Sequence, residues 1–324
     1  MKRVIIIMAL LYVSVHAMAQ RNRYGMTIIK QQSGDCGIDR QAEFEKLIDL
    51  TTLTDLCTPY KYAAEKITHQ DYNGCKTSSF VYKDYGAYQL KMEVDIPTHS
   101  NGPYPFIIYV HGGGWANGSL NGFANQSKFL ATRGIAGVRI SYSLKKQQGH
   151  FDMGMEELEA AYQFVKLHAQ EWNLDLTRLG YAGGSAGAPL ASLATVKNKN
   201  CKLFIGANGI YDFTYTAHTG SFPSGSNSYL KNHQSGDKLK EISAMHHIPK
   251  ENPPAVALFH GTADVTIPYQ QSLLFYDAVT KKGGLAEKHI FPNYSHTFYN
   301  KDVSDKYEDI TIAMYNFANK IFNK

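Results

Sequence analysis

The sequence predicts an α/β fold with a mostly parallel central sheet of about eight strands and helices on both faces. Continuous apolar runs such as Pro105–Val110 (PFIIYV) are typical of strands that are buried on both faces. These runs alternate with segments whose apolar residues recur at helical spacing, as in Met155–Trp172. Because neither an internal repeat nor a low-complexity linker interrupts the alternation, the order of elements predicts one parallel sheet.

Each element is predicted from its local pattern, and the elements follow one another from about residue 76 onward. The strands are Ser79–Tyr82, Leu90–Ile96, Pro105–Val110, Ile135–Ser141, Leu179–Ala182, Lys202–Ala207, Ala255–Phe259 and Lys288–Phe291. The helices are Met155–Trp172, a small-residue helix from Ala186, Ser272–Thr280 and Glu308–Ile321. We expect these elements to form one main domain over residues 78–324.

Two polar segments do not follow this alternation. Residues 20–77 contain one predicted helix, Arg40–Asp49, and are expected to cover the main domain. Residues 213–254 are rich in Ser, Gly, His and Asn, with a short predicted helix at Lys238–Ala244, and are expected to form a short lid. Long irregular stretches in a domain usually serve function, so both are placed over the carboxyl edge of the sheet, where ligands bind.

The first 19 residues have the pattern of a cleaved secretory signal. Lys2 and Arg3 precede an apolar run from Val4 to Val15, and Ala17-Met18-Ala19 fits a small-residue cleavage site. The alternative is a membrane anchor, but the run is shorter than the roughly twenty residues that span a bilayer. We therefore expect a secreted or periplasmic protein with no stable membrane insertion after the signal is removed.

Composition and cysteine content exclude several classes of protein. The 44% hydrophobic content excludes a disordered chain, and a net charge of +5 with scattered lysines and arginines predicts no nucleic-acid partner. Without a CxxC pair or an HExxH motif, neither a metal nor another cofactor is predicted. An exported chain favours disulfide bonding, and its four cysteines allow three pairings, with one bridge expected in the N-terminal segment. These cysteines are Cys36, Cys57, Cys75 and Cys201.

The first chemical motif is a G-x-S-x-G sequence, Gly183–Gly187, between a predicted strand and a predicted helix. A hydroxyl nucleophile on such a strained turn projects from the sheet edge, and the flanking glycines keep side chains away from it. The alternative is an ordinary Gly/Ser turn that links a strand to a helix. Because the strand–turn–helix context is the one the chemistry requires, we favour Ser185 as a nucleophile.

The second motif, His111–Trp115 (HGGGW), follows the predicted strand that ends at Val110. Consecutive glycines allow backbone N–H groups to approach a substrate and stabilise a developing oxyanion. A flexible loop and a phosphate cradle are the alternatives, although neither a Walker sequence nor GxGxxG spacing follows. We expect His111 to support this loop rather than to act as a base.

With these motifs the chain resembles the α/β-hydrolase superfamily, in the HGGG-bearing branch of hormone-sensitive-lipase-like and acetylxylan- or feruloyl-type esterases. The resemblance covers about residues 80–322 and includes HGTAD at His260–Asp264 and Ser295-His296. It implies the α/β-hydrolase fold and a catalytic triad in the order Ser, acid, His. The implied residues are Ser185, Asp264 and His296 for the triad, with the N–H groups of Gly113, Gly114 and Ala186 as oxyanion donors.

The residues themselves support these assignments and leave some alternatives open. Asp264 and His296 both follow predicted strands, so their side chains can meet Ser185 at the carboxyl edge of the sheet. Asp212 is the competing acid, although we expect it to orient the lid. Four aromatic residues are expected either to line the substrate pocket or to pack in the core. They are Trp115, Tyr142, Tyr211 and Phe213.

The expected function is that of a secreted serine carboxylesterase that acts through an acyl-enzyme. The predicted lid is short and hydrophilic, which favours short-acyl or aryl esters, free or carried on a polysaccharide, over long-chain lipids. One alternative is an exopeptidase or arylformamidase, because the same triad cleaves amides. Another is an inactive hydrolase homologue that binds glycans, although a chain without catalysis has no need of all three groups.

Overall fold

The computed structural model describes residues 18–21, 27–30, 67, 69–99, 101–215, 228–300 and 305–324. Internal contacts divide the chain into two units, Met1–Cys57 and Thr58–Lys324. The described residues of the first unit form an antiparallel pair of short strands, β1 (Met18–Arg21) and β2 (Thr27–Lys30). Residues 1–17 and the predicted helix Arg40–Asp49 lie outside the described residues, so the signal and this helix stay predictions.

The second unit is built on an eight-stranded sheet. Its strands are β3 (Cys75–Asp84), β4 (Gln89–Pro97), β5 (Tyr104–Val110), β6 (Ala136–Ile140), β7 (Leu174–Gly184), β8 (Cys201–Ala207), β9 (Ala255–Gly261) and β10 (Ala286–Phe291). The order across the sheet is β10-β9-β8-β7-β5-β6-β4-β3. Strands β5 to β10 are parallel, and β4 runs antiparallel to both of its neighbours. The predicted, mostly parallel sheet is confirmed.

Helices cover both faces of this sheet. They are α1 (Ala124–Ala131), α2 (Phe151–His168), α3 (Gly187–Lys197), α4 (Asp237–Glu241), α5 (Gln270–Lys281) and α6 (Tyr307–Phe322). The apolar residues of α2, α3 and α5 join the core on one face, and those of α1 and α6 join the core on the other. Every residue of β5 is buried between these two layers, as its apolar run predicts. No helix in the described ranges is long and apolar enough to cross a membrane.

The edge strand of the sheet begins earlier than the predicted domain boundary at residue 78. β3 starts at Cys75, and the short 3-10 helix His69–Tyr72 precedes it. The guanidinium of Arg133, which follows α1, lies 2.6 Å from the carboxylate of Asp71 in this short helix. The neighbouring Thr132 hydroxyl donates to the Asp71 carbonyl. The residues just before position 78 therefore belong to the sheet-containing unit, and the covering role of residues 20–77 stays a prediction.

Two of the four cysteines are free thiols, Cys75 and Cys201. Burial raises the pKa of the Cys75 thiol to about 11 and that of the Cys201 thiol to about 12, so both stay protonated at neutral pH. Because both thiols are free, neither Cys75 nor Cys201 forms a bridge in this structure, and a Cys36–Cys57 bridge in the N-terminal segment stays a prediction. Cys36 and Cys57 lie outside the described residues.

The insert predicted as a lid is tied to the body of the domain where the structure describes it. His233 lies with Nε2 2.6 Å from a carboxylate oxygen of Asp152, in the first turn of α2. Tyr229 and Leu230 are buried in the core beside α2 and α3. Residues 216–227 are outside the described part of the chain, so a lid in this region stays a prediction.

The buried histidine of β10 predicts a pH-dependent loss of stability. The His289 ring stacks on Phe259 at 4.3 Å, and burial lowers the pKa of His289 to about 3. In the unfolded chain a histidine titrates near 6.5, so only the unfolded state takes up a proton as the pH falls from about 6.5 to 3. The free energy of unfolding of the wild-type protein should therefore fall by up to about 1.4 kcal/mol per pH unit over this range. We expect His289→Phe to abolish this fall.

Urea unfolding of both proteins at pH 7, 5.5 and 4 measures this effect. His168→Phe is the control, because His168 also stacks on an aromatic ring, that of Trp172, but is only half-buried. Parallel stability curves for wild type and His289→Phe would contradict the prediction.

Candidate active site

Ser185 lies on a strained turn between β7 and α3. Its backbone φ is +50°, in the left-handed region that non-glycine residues rarely adopt. The Ser185 N–H donates to the carbonyl of Ala207 at the end of β8, which holds the turn at the sheet edge. A Cβ on Gly187 would lie 2.2 Å from the Val110 carbonyl oxygen, so only glycine lets α3 approach β5 this closely. The structure thus has the strand–turn–helix context that the motif predicts.

The three predicted triad side chains meet at this edge of the sheet. His296 Nε2 lies 2.7 Å from Ser185 Oγ, and His296 Nδ1 lies 2.7 Å from Asp264 Oδ2. A carboxylate oxygen can only accept, so Nδ1 of a neutral His296 carries the proton and Nε2 accepts from the serine hydroxyl. This is the arrangement in which a histidine removes a proton from a serine.

Asp264 is buried and fully hydrogen-bonded. Its Oδ1 accepts from the backbone N–H groups of Thr266 and Ile267 at 2.8 and 2.9 Å. Its Oδ2 accepts from His296 and, at 3.1 Å, from His260 Nε2. Burial by itself raises the pKa of Asp264, but the hydrogen bonds and positive potential from the two histidines outweigh it and hold the pKa well below its usual range. The carboxylate is therefore charged across the working pH range.

The glycine loop after β5 passes directly beside the serine. A Cβ on Gly112 would lie 3.0 Å from Ser185 Cβ. Gly113 and Gly114 both have positive φ, +117° and +61°, and the N–H groups of Ala116 and Asn117 donate to the Gly113 carbonyl in the resulting turn. Among the described residues, no hydrogen bond between backbone groups of turns and loops uses the N–H of Gly113, Gly114 or Ala186. These N–H groups stay the predicted oxyanion donors.

The loop leaves no room for a side chain at its second glycine. A Cβ on Gly113 would lie 2.2 Å from the Asn117 carbonyl oxygen. Two non-bonded atoms cannot lie this close together, so the loop backbone would have to move. We expect Gly113→Ala to lower kcat/KM by about 100-fold or more, because the oxyanion donors move with the backbone. Steady-state kinetics with p-nitrophenyl acetate measure the effect, and thermal unfolding reports the strain.

Gly86→Ala is the matched control for this variant. Gly86 also has a positive φ, +75°, but a Cβ there meets nothing within 4 Å. Both changes carry the left-handed strain of about 1–2 kcal/mol, and only Gly113→Ala adds a collision in the loop. Equal losses of kcat/KM in the two variants would contradict a role for the loop geometry.

Residues beneath the glycine loop hold it in place. The His111 ring stacks on Tyr142 at 4.6 Å, and His111 Nδ1 lies 2.8 Å from the Gly112 carbonyl oxygen. The Tyr142 hydroxyl donates to the His111 carbonyl, and the Lys145 N–H donates to the Trp115 carbonyl. Burial lowers the pKa of His111, which favours the neutral ring. These contacts agree with the expectation that His111 supports the loop.

The four aromatic residues for which the sequence leaves a pocket role and a core role open are buried. Their exposed fractions are 2% for Trp115, 1% for Tyr142, 1% for Tyr211 and 5% for Phe213. Trp115 stacks on Tyr229 at 5.1 Å, and Tyr211 stacks on Phe275 at 4.7 Å. Phe213 meets Phe151 edge to face. Their apolar surface is covered by these neighbours, so the core role, the alternative left open by the sequence, is the one the structure describes.

Asp212 lies away from the triad histidine. Its carboxylate accepts from the Thr214 N–H and hydroxyl and lies 3.3 Å from His246 Nε2. Gln271 binds the backbone on both sides of it, by accepting from the Asp212 N–H and donating to the Asp212 carbonyl. Asp212 thus organises the start of the insert, and Asp264 is the carboxylate in contact with His296.

Two residues that belong to neither glycine motif also contact the site. The Asn208 side-chain amide donates to the His296 carbonyl and so holds the loop that carries the imidazole. The Tyr299 hydroxyl lies 3.4 Å from the position of a Cβ on Gly112 and 2.6 Å from one on Gly184. Burial, with the nearby charge of Asp264, raises the pKa of Tyr299 to about 12, so it stays neutral. Neither residue belongs to a local motif that would have indicated this placement.

No group of three or more His, Cys, Asp or Glu side chains is placed to hold a metal ion in the part of the chain that the structure describes.

Comparisons with known proteins agree with the resemblance seen in the sequence. A family model described as BD-FAE matches residues 92–279. A probable isoprenylcysteine alpha-carbonyl methylesterase of Oryza sativa subsp. japonica is 26% identical over 235 residues, which is 64% of this chain and 54% of that protein. An acetyl esterase of Salmonella schwarzengrund (strain CVM19633) is 34% identical over 102 residues, 30% of this chain and 31% of that protein. The chain spans about half the length of the plant relatives that it matches.

The fold also matches solved structures. Esterase 2 of Thermogutta terrifontis, phosphonylated by sarin, aligns with a TM-score of 0.67 at 24% identity, over 76% of this chain and 95% of that chain. The same esterase without ligand aligns with a TM-score of 0.65 at 24% identity over the same shares. Together with the sheet order and the helices on both faces, this similarity confirms the predicted α/β-hydrolase fold.

Proposed function

Since this chain belongs to the BD-FAE family, we propose that it is a serine carboxylesterase that uses Ser185, His296 and Asp264 to hydrolyse short-acyl or aryl esters. The observation that carries the proposal is the unbroken hydrogen-bond chain from Asp264 through His296 to the strained Ser185. A serine hydroxyl is weakly nucleophilic by itself and needs such a base within hydrogen-bond distance. The esterase relatives agree with this chemistry.

In the acylation step, Ser185 Oγ attacks the ester carbonyl carbon while its proton passes to His296 Nε2. The carbonyl oxygen becomes an oxyanion, which the N–H groups of Gly113, Gly114 and Ala186 stabilise. The tetrahedral intermediate collapses as its carbon–oxygen bond to the alcohol breaks, and His296 returns the proton to the departing alkoxide. The products of this step are the free alcohol and the acyl-enzyme.

In the deacylation step, water takes the place of the alcohol. His296 Nε2 removes a proton from this water as its oxygen attacks the acyl carbon, and the same N–H groups stabilise the second oxyanion. The bond to Ser185 then breaks, and the serine regains its proton from His296. Throughout, the charged Asp264 holds His296 in the required tautomer and stabilises the imidazolium.

The proposed substrates are short-acyl or aryl esters, including esters on a polysaccharide. The described residues of the insert support this proposal, because its apolar side chains Tyr229, Leu230 and Ile248 are buried in the core rather than displayed as a lipid-binding surface. The name of one relative, an acetyl esterase, points to a short acyl group, and that of another, a methylesterase, points to a small alcohol.

Export belongs to the same proposal and has its own test. We propose that residues 1–19 are removed and that the mature protein is secreted or periplasmic, on the basis of the charged, apolar and small-residue regions at its start. Expression of the full chain with its own N-terminus, followed by intact-mass measurement of the exported protein, should give a species that begins at Gln20. A retained Met1 would contradict it.

A fluorophosphonate probe and a substrate panel test the activity. Labelling at Ser185, with turnover of p-nitrophenyl acetate and butyrate and of acetylated xylan or methyl ferulate, would support the proposal. Faster turnover of aminoacyl-amides or formamides would instead favour an amide hydrolase. A folded protein that fails to label would favour the inactive, glycan-binding alternative.

A further inference from the structure

We infer that His260 is a positioning residue that holds the triad carboxylate in place through a second imidazole–carboxylate hydrogen bond. The inference rests on the proposed function, since positioning matters only if Asp264 serves His296. Asp264 Oδ2 lies between two rings, 2.7 Å from His296 Nδ1 and 3.1 Å from His260 Nε2. His260 thereby extends the chain Ser185–His296–Asp264 by one buried member.

Both ring nitrogens of His260 have hydrogen-bond partners. It lies near the end of β9 and is fully buried, and its Nε2 is 3.0 Å from the Ile267 carbonyl oxygen as well as 3.1 Å from Asp264. Its Nδ1 is 2.8 Å from Ser272 Oγ, in the first turns of α5. A strand, a helix and the loop between them therefore fix the ring in a single orientation.

The partners of the ring determine where its proton lies. Both groups that face Nε2, the Asp264 carboxylate and the Ile267 carbonyl, can only accept hydrogen bonds, so Nε2 carries a proton. On the other side, Ser272 has a hydroxyl, which either donates to Nδ1 of a neutral ring or accepts from a charged one. In both cases His260 donates to Asp264 Oδ2.

This contact affects the reacting groups through Asp264. The carboxylate cannot rotate, because Oδ1 is held by two backbone N–H groups and Oδ2 by two imidazoles. Donation from His260 also draws negative charge from Oδ2, which weakens its interaction with His296. Loss of His260 should therefore free the carboxylate and make it a stronger partner of protonated His296.

Other titratable groups surround the pair and must be considered in any pH experiment. Tyr299 lies near Asp264, and burial with this charge raises the Tyr299 pKa to about 12. Tyr211, from the loop after β8, lies beside Ser272, and burial raises its pKa above the usual range. Both tyrosines therefore stay neutral at neutral pH and add no charge beside the pair.

The test compares His260→Phe with His260→Gln. Phenylalanine keeps the ring and removes both nitrogens, whereas glutamine places an amide donor about where Nε2 lies. We expect His260→Phe to lower kcat for p-nitrophenyl acetate by about tenfold or more with little change in KM. We also expect the acid limb of its kcat/KM profile to move to higher pH, by about half a pH unit. His260→Gln should recover most of kcat and of the wild-type profile.

His289→Phe is the matched control, because His289 is a buried histidine on the adjacent strand β10 and stacks on Phe259. The His289→Phe variant should leave the acid limb of the kcat/KM profile unchanged when the profile is measured between pH 6 and 9. An unchanged kcat and profile in His260→Phe would overturn the inference. Equal losses in His260→Phe and His260→Gln, with no movement of the acid limb, would also overturn it, because they indicate a purely structural role.

An NMR measurement separates this inference from the proposed function. In wild type, the ring N–H protons that His296 and His260 donate to Asp264 should give two downfield proton resonances. Asp264→Asn should perturb both, and His260→Gln should remove one and shift the other. If the enzyme turns over no ester yet these resonances behave as described, the proposed function fails and the positioning contact stands. If ester turnover is normal and removal of His260 leaves the His296 resonance unmoved, only the inference fails.

Discussion

Replacing Ser185 with alanine is expected to lower kcat for p-nitrophenyl acetate by about 10,000- to 1,000,000-fold and to leave the fold intact. Ser185 Oγ lies 2.7 Å from His296 Nε2, the proposed base, and alanine has no hydroxyl to replace it. The methyl group of alanine fits the same turn, and both residues tolerate a φ of +50° equally poorly, so stability should change little. Steady-state kinetics and thermal unfolding measure the two effects.

Ser192→Ala is the control for this variant. Ser192 lies on α3, seven positions after Ser185 in the same strand–turn–helix unit, and its buried hydroxyl donates only to the Pro189 carbonyl. Its replacement should leave kcat within a few-fold of wild type. Retention of ester turnover by Ser185→Ala would contradict the acyl-enzyme mechanism, and loss of labelling by a fluorophosphonate in Ser192→Ala would contradict the assignment of the labelled residue.

Asp264→Asn is expected to lower kcat by about 10,000-fold, because it forces His296 into the tautomer that cannot accept the Ser185 proton. The two backbone N–H groups that face Oδ1 select the amide oxygen of asparagine at that position. The amide NH₂ group must then take the place of Oδ2 and donate to His296 Nδ1. Nε2 of a neutral His296 consequently carries the proton and can no longer accept one from Ser185.

Asp212→Asn distinguishes this effect from the general removal of a carboxylate. Asp212 is also buried and lies 3.3 Å from a histidine, His246, but does not contact His296. Its replacement should leave kcat for p-nitrophenyl acetate nearly unchanged. A larger loss in Asp212→Asn than in Asp264→Asn would reverse the assignment of the acid.

The Asp264 carboxylate also predicts how stability responds to acid. Its pKa in the folded protein lies below the value in the unfolded chain, about 3.9. The stabilisation it provides is therefore complete above about pH 4 and is lost as the pH falls through the folded pKa. The difference in free energy of unfolding between wild type and Asp264→Asn should accordingly be constant at neutral pH and shrink only under strong acid, as urea unfolding at pH 7, 5 and 3 measures.

Local patterns were sufficient to predict all eight strands of the main sheet and most of its helices. Apolar runs buried on both faces, such as the one in β5, carry their signal in a few consecutive residues. The same holds for the two glycine motifs, because the positive φ of Ser185, Gly113 and Gly114 depends on the residues of their own turns. The sequence of helix α1, ANQSKFLA, does not indicate a helix, because it lacks a clear apolar stripe and the helix packs through contacts with α6 and with the sheet.

The sequence alone thus determined the fold class and indicated the candidate triad residues, because strands and turns follow from short-range backbone preferences and apolar spacing. Only the tertiary structure decided which aspartate faces His296, that His260 donates to that aspartate, and that Asn208 holds the histidine loop. It also placed Trp115 and Tyr142 in the core. These outcomes depend on which residues from distant parts of the chain pack against each other, and such burial and hydrogen bonding leave no local pattern in the sequence.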